Sequence, residues 1–426
     1  MGVLLFGSFL ILMLFNIPIA VALGLASMIA LVFGPMAVPP LVVVQRMFTS
    51  VDSFPFMAIP FFMLAGGLME GGGISKRLVN FAKTLIGSMP GGLGIITVVS
   101  SAFFGAISGS NPATVASIGG IMIPAMHEAG YPKDYAAAVA AAAGTLGVII
   151  PPSIPMITYG VVSGCSIGDL FIAGLLPGIC IALLLSFSIW TNAKKLGLKG
   201  DRNYTFREMI AAAKDAAFAL LMPVLVLGGI YGGVFTPTEA AAVAVIYALI
   251  IGLFVYREFT WKDLPQIIIN AGISTSVVFF VIAASSSFSW LITAGRIADS
   301  VTKAMMAISS NRYVLIFLIN ILLLFLGTFL ETQAIILLVA PILIPLATRI
   351  GLDPLALGII MVVNTSIGMI TPPMAVNLFV ACGIANLKIE EITKPILPLL
   401  AVEVAFCLLI SNFPQLLLWL PRLVRG

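Results

Sequence analysis

The chain has 426 residues, of which 61% are hydrophobic and 9% charged, with a formal net charge of +4 at pH 7. A soluble domain carries about 25% charged residues, so a chain this poor in charge cannot cover its own surface in water and takes lipid as its solvent. The scattered cysteines Cys165, Cys180, Cys382 and Cys407 form no CxxC pair and argue against a disulfide framework or a metal cluster, and the loop-borne positive charge implies no nucleic-acid partner.

The apolar runs are continuous and rich in Leu, Ala, Ile and Met rather than alternating, which predicts helices and not a β-barrel. The first run, 3–33, has no basic start and no cleavage site, so it reads as a retained span and not a signal peptide. No Lys or Arg precedes Arg46, which suits a periplasmic start. Basic residues then gather at Lys76, Arg77 and Lys83, at 194–214 (Lys194, Lys195, Lys199, Arg202, Arg207, Lys214), and from Arg257 to Lys262, all placed in the cytoplasm. Arg422 and Arg425 pull the end of the chain the same way.

Sliding the chain on itself by 221 positions brings Pro124 onto Pro345, Gly130 onto Gly351, Gly147 onto Gly368, and Pro151-Pro152 onto Pro372-Pro373. At nearly the same offset Phe15 to Pro18 falls on Phe235 to Thr238. The pattern predicts an internal duplication. With the basic loops in the cytoplasm the two copies run in opposite directions, the inverted-repeat architecture of many secondary transporters.

Each half carries two interrupted segments. The first is a stretch of about forty residues with a polar knot in its middle, SGSNP at 108–112 in one half and GTFLET at 327–332 in the other. Forty residues of helix reach about 60 Å, twice the hydrocarbon, so each stretch is expected to turn at its knot as a re-entrant hairpin. The second is a span broken by GTLG to PPS at 144–153, or by NTSIG to TPP at 364–373. A double proline removes two N–H donors and displaces the preceding residue from the α region, freeing carbonyls to act as ligands.

Such carbonyls and hydroxyls suit dehydrated Na⁺, and half-helix N-termini suit an anionic substrate. A first sodium site is expected from Ser108, Gly109, Ser110, Asn111, Gly144, Thr145, Gly147 and Ile150. A second is expected from Gly327, Thr328, Thr332, Thr365, Gly368, Thr371 and Met374, with Ile150 and Met374 contributing main-chain carbonyls. At least two Na⁺ ions and no organic cofactor follow. Candidate substrate contacts are Ser110, Asn111, Ser153, Glu331, Asn364 and Ser366. Glu331 is singled out because a charge inside an apolar stretch is costly. Glu403 is likewise apolar-flanked, with a partner the sequence does not identify. Glu239, after Thr236-Pro237-Thr238, reads as part of a helix start, and His127, the only histidine, as a solvated loop residue. No HExxH, GxSxG or Walker pattern is present, so no enzyme is expected.

The fold class is thus an all-α polytopic membrane protein of two inverted repeats, each with a re-entrant hairpin and a discontinuous helix. The expected division is 1–72 scaffold helices, 73–89 connecting helix, 90–165 first hairpin and broken helix, and 166–193 a further helix. There follow 194–214 cytoplasmic loop, 215–293 scaffold helices, 294–312 connecting helix, 313–388 second hairpin and broken helix, and 389–426 a C-terminal helix.

The run GVFTPTEAAA at 233–242 resembles a hallmark of the large membrane subunit of tripartite ATP-independent periplasmic (TRAP) transporters. PFMAIPFF at 55–62, SGSNPATVA at 108–116 and GVIIPPS at 147–153 are similar to that family too, and the resemblance covers essentially the whole chain. It implies an elevator-type, sodium-driven carrier of organic acids such as C4-dicarboxylates or sialic acid in a bacterial inner membrane. It also implies a small four-helix membrane subunit, expected here as a separate chain, and a periplasmic substrate-binding protein. Where family members often carry Asp at the second hairpin tip, this chain has Glu331. The rival reading is a single-component sodium/dicarboxylate symporter with similar hairpins.

Overall fold

The computed structural model describes residues 1–36, 38–198, 200 and 203–425, the last by its backbone alone. The basic-loop positions Lys199 and Arg202 and the side chain of Arg425 lie outside this description. Among the described residues every regular element is a helix, the outcome that apolar sequence and lipid impose, because a helix satisfies its backbone groups within itself.

Among the described residues, eight helices are long and apolar enough to cross a membrane, or nine if the bent pair Lys133–Ile149 and Ile154–Ser163, which turns by 40°, is one span. The longest are Leu264–Ala294, Ile167–Lys195 and Phe206–Tyr231. Large apolar side chains such as Phe187, Ile273, Val277 and Phe317 stand exposed on the membrane helices, as a lipid-facing surface requires.

Three stretches differ from the sequence expectation. The run 3–33 is two helices, Gly2–Leu14 and Ile19–Phe33, packed on each other. Asn16, at φ +60°, reverses the chain, and Pro18, which cannot donate a helical hydrogen bond, starts the second helix. The basic loop 194–214 is helical from Phe206 onward. Thr205 begins that helix with a capping box, its hydroxyl accepting from the Glu208 N–H while its own N–H donates to the Glu208 carboxylate. The C-terminal segment breaks at Phe413-Pro414 into Ile389–Asn412 and Gln415–Arg425.

One set of helices joins Ile19–Phe33, Leu41–Val51 and Ala58–Gly71 around Leu264–Ala294, with Pro237–Ile250 packed on Ala58–Gly71. A second set surrounds the two interrupted pairs, with Ile167–Lys195 and Ile389–Asn412 as its long members. The amphipathic helix Ile74–Ile86 lies against both Phe206–Tyr231 and Gly92–Ser108. Its Arg77 pairs with Glu258 at 2.8 Å and Asp215 at 3.3 Å and stacks over the Tyr256 ring at 3.9 Å. Glu239 closes a capping box with Thr236, and His127 is an exposed residue in the last turn of Gly120–Glu128.

Candidate functional site

The polar knot at 108–112 is a turn between two helical arms. Gly92–Ser108 ends at Gly109, whose φ of +60° is open to glycine at no steric cost, and the return arm starts at Asn111 and runs to Glu128. In the second pair Arg312–Phe329 gives way at Leu330-Glu331 to Thr332–Arg349. The broken spans open at Ile150–Ser153 and between Gly368 and Val376.

Each hairpin is seated on a broken span by a glycine-to-glycine approach. A Cβ on Gly105 would stand 2.9 Å from the Gly147 Cα, and one on Gly327 would stand 2.8 Å from the Gly368 Cα. No side chain larger than hydrogen fits either contact, so tip and break meet backbone to backbone.

Asn111, on the first hairpin, ties that hairpin to both broken spans. Its Nδ2 donates to Ser366 Oγ at 2.7 Å and its Oδ1 accepts from the Val148 N–H at 2.9 Å. Ser366 Oγ donates in turn to the Thr145 carbonyl at 2.8 Å. Thr332 Oγ1 reaches Met369 Sδ at 3.5 Å. Beside this junction both tips line one small pocket of about 50 Å³, with Ser110 and Asn111 on one side and Glu331, Thr332 and Gln333 on the other. Ser110 and Ile154 also border a larger cavity of about 390 Å³, lined as well by Met63, Gly66 and Glu70 of one helix and Asn270 and Ser274 of another. No lysine or arginine is among the described residues lining either space.

Residues 6–416 match the family described as "Tripartite ATP-independent periplasmic transporter, DctM component". The chain belongs to this family. It is 45% identical over 97% of its length to the isethionate TRAP transporter permease protein DctMQ of Oleidesulfovibrio alaskensis, of which it spans 65%. It is 39% identical to the C4-dicarboxylate large permease DctM of Rhodobacter capsulatus, covering 99% of each chain. It is also 40% identical to the sialic acid large permease SiaM of Vibrio cholerae, covering 90% of each. The YdaH transporter of Alcanivorax borkumensis shares the fold, with a TM-score of 0.64 over 88% of each chain at 16% identity. The protein is a multi-pass inner-membrane transport subunit and not an enzyme.

In this TRAP permease the structure brings some of the residues named for a first sodium site together. Gly147 lies under the Ser110 carbonyl, Gly109 beside the Pro152 carbonyl, and Ile150 is extended. Ser108 Oγ stands 3.1 Å from Thr114 Oγ1, a tip hydroxyl that sequence reasoning missed. In the second set, Thr328, Thr365 and Thr371 each donate to a carbonyl of their own helix, which leaves oxygen lone pairs for a ligand. The Met374 side chain is exposed.

Three of the named substrate contacts are not among the residues that line the pocket between the tips. Ser153 caps its helix by accepting from the Met156 N–H at 3.4 Å. Ser366 lies on the far side of Asn111 from the pocket, with both its bonds made internally. Asn364 donates to Asn320 Oδ1 at 2.7 Å and faces a separate groove bordered by Phe317 and Cys407. Positions two apart on a helix point about 200° apart, so Asn364 and Ser366 cannot share one pocket. The cavity wall formed by Asn270 and Ser274 was not anticipated. Two polar residues spaced i, i+4 in an apolar span mark one helix face, and that signal was legible.

Proposed function

We propose that the permease carries a small organic acid anion inward, coupled to Na⁺, by an elevator movement of the hairpin-bearing set of helices against the other set. The meeting of the first hairpin tip with both helix breaks at Asn111, beside a pocket that the second tip also lines, carries this reading. A pocket without a basic side chain must attract an anion through N–H groups at helix starts such as Thr332 and through bound cations. Carbonyl and hydroxyl oxygens at the two junctions are the donors a hard cation such as Na⁺ takes. The two sodium sites are assigned to the residue sets named from the sequence, and the inverted repeat accounts for their pairing.

The cargo class follows the relatives, which are named for C4-dicarboxylates, sialic acid and isethionate. Membership of the tripartite family favours a small membrane subunit and a periplasmic binding protein as partners over the single-component symporter. The larger cavity reaches Glu70 and Gly71, close in sequence to Lys76 and Arg77, so this conformation is read as open to the cytoplasm.

Uptake into proteoliposomes holding all three components tests the reading. A sodium gradient should drive accumulation, omission of the binding protein should abolish it, and Ser110→Trp or Thr365→Trp should stop it. Full uptake by both tryptophan variants would remove the two-site assignment.

A further inference from the structure

Glu403 is fully buried in Ile389–Asn412 and has no basic partner among the described residues. Its Oε1 lies 3.2 Å from Thr145 Oγ1, and its Oε2 has no hydrogen-bond partner. The Thr145 hydroxyl has one proton, and its shorter contact, 2.7 Å, is to the Ala142 carbonyl, so the lone pairs of Oγ1 face the carboxyl group. Thr145 follows the C-terminal end of Lys133–Ala143, where the helix dipole adds negative charge. At the same helix end the Asn377 amide reaches the Ala141 carbonyl at 3.4 Å while its Oδ1, also fully buried, has no partner. The elements packed around Glu403 keep their charges at their far ends: Lys133 and Asp134, Asp169, Lys194 and Lys195, Arg312, and Asp353. Cys407 lies one turn along the same helix.

Oxygen donors at the negative end of a helix, a carboxylate among them, with no protein cation in reach, form an arrangement that a bound positive charge stabilises. The 3.2 Å between Glu403 Oε1 and Thr145 Oγ1 is about the separation adjacent oxygens keep around a hard cation whose ligands stand roughly 2.3–2.6 Å away. A proton would satisfy a single oxygen pair, whereas a metal cation engages several. We propose that the Glu403 carboxylate and Thr145 Oγ1, with Asn377 Oδ1 at the same helix end, form a further Na⁺ site behind the first helix break. The proposal rests on the sodium-coupled reading. Because Thr145 offers its carbonyl to Ser366 on one side and its hydroxyl to Glu403 on the other, ion binding here would hold the Asn111 junction in register.

Equilibrium binding of radiolabelled Na⁺ to the purified full chain in detergent, at fixed pH, tests it. Glu403→Gln keeps the shape and removes the charge, and should weaken one class of Na⁺ site by roughly 10–100-fold, the scale of losing a supporting group at a metal site. Asn377→Leu, at a residue outside both hairpin sets, should do the same. Melting of each variant, followed by tryptophan fluorescence, reports folding. If Glu403→Gln does not fold, the Asn377 variant decides. A folded Glu403→Gln chain whose isotherm superimposes on that of the wild type overturns this site and leaves the two hairpin sites standing. A wild-type chain that binds no Na⁺ overturns the sodium reading itself.

Discussion

Asn111 donates across to one broken span and accepts from the other, so one amide holds two chain breaks that are more than two hundred residues apart in sequence. Replacing it with alanine leaves the buried Val148 N–H without an acceptor. Such a loss costs about 1–3 kcal/mol. Asn111→Ala should therefore lower the melting temperature in detergent and abolish uptake, and a variant with wild-type melting would show that the amide is not a structural tie. Asn111 was legible in the sequence as part of a polar knot in an apolar run. Its partners were only half legible. Ser366 was named as a substrate contact, but it is a link in the Asn111–Thr145 chain, because a hydroxyl that makes two internal bonds has little left for cargo.

At the scale of elements, the glycine contacts decide how hairpins and broken spans fit. A Cβ added to Gly368 would come within 2.5 Å of the Gly327 Cα, and main chain cannot step aside as a side chain can. Gly368→Ala should cost about 1–3 kcal/mol from overpacking and block uptake. Gly383, in the helix Val376–Ala385, has no atom within 4 Å of the place a methyl group would occupy; Gly383→Ala should be neutral or gain about 0.5–1 kcal/mol through helix propensity. Equal melting of the two variants would dismiss the close-approach argument. The Thr236–Glu239 capping box stands apart from both breaks, so Thr236→Ala should cost about 0.5–2 kcal/mol and leave the sodium dependence of uptake unchanged. Double prolines and glycines made the breaks visible in sequence. The reversal at Asn16 was less visible, because the run around it is apolar on both sides and hydropathy alone cannot tell one long helix from two short ones.

For the whole molecule, the two sets of helices face each other across the cavity that contains Ser110 on one wall and Asn270 and Ser274 on the other. In a background lacking the native cysteines, Asn270→Cys should react with a membrane-impermeant thiol reagent applied from the cytoplasmic face and be shielded from the periplasmic face. Labelling from the periplasmic side alone would reverse the assignment of this conformation. Excess Na⁺ and cargo should slow the reaction if the hairpin set moves across the cavity during transport.

Composition and hydrophobic length by themselves determined that this chain is a bundle of membrane helices, since lipid leaves the backbone no other partner than itself. The spacing of prolines, glycines and small polar residues also determined where those helices are interrupted, because these residues act through local backbone geometry. Only the tertiary structure decided which oxygens meet. That Asn364 turns away to Asn320, that Glu403 approaches Thr145, and that Asn270 and Ser274 face a hairpin tip depend on how helices distant in sequence rotate about their axes. Helices apolar on nearly every face carry little sequence signal for that rotation, and packing sets it.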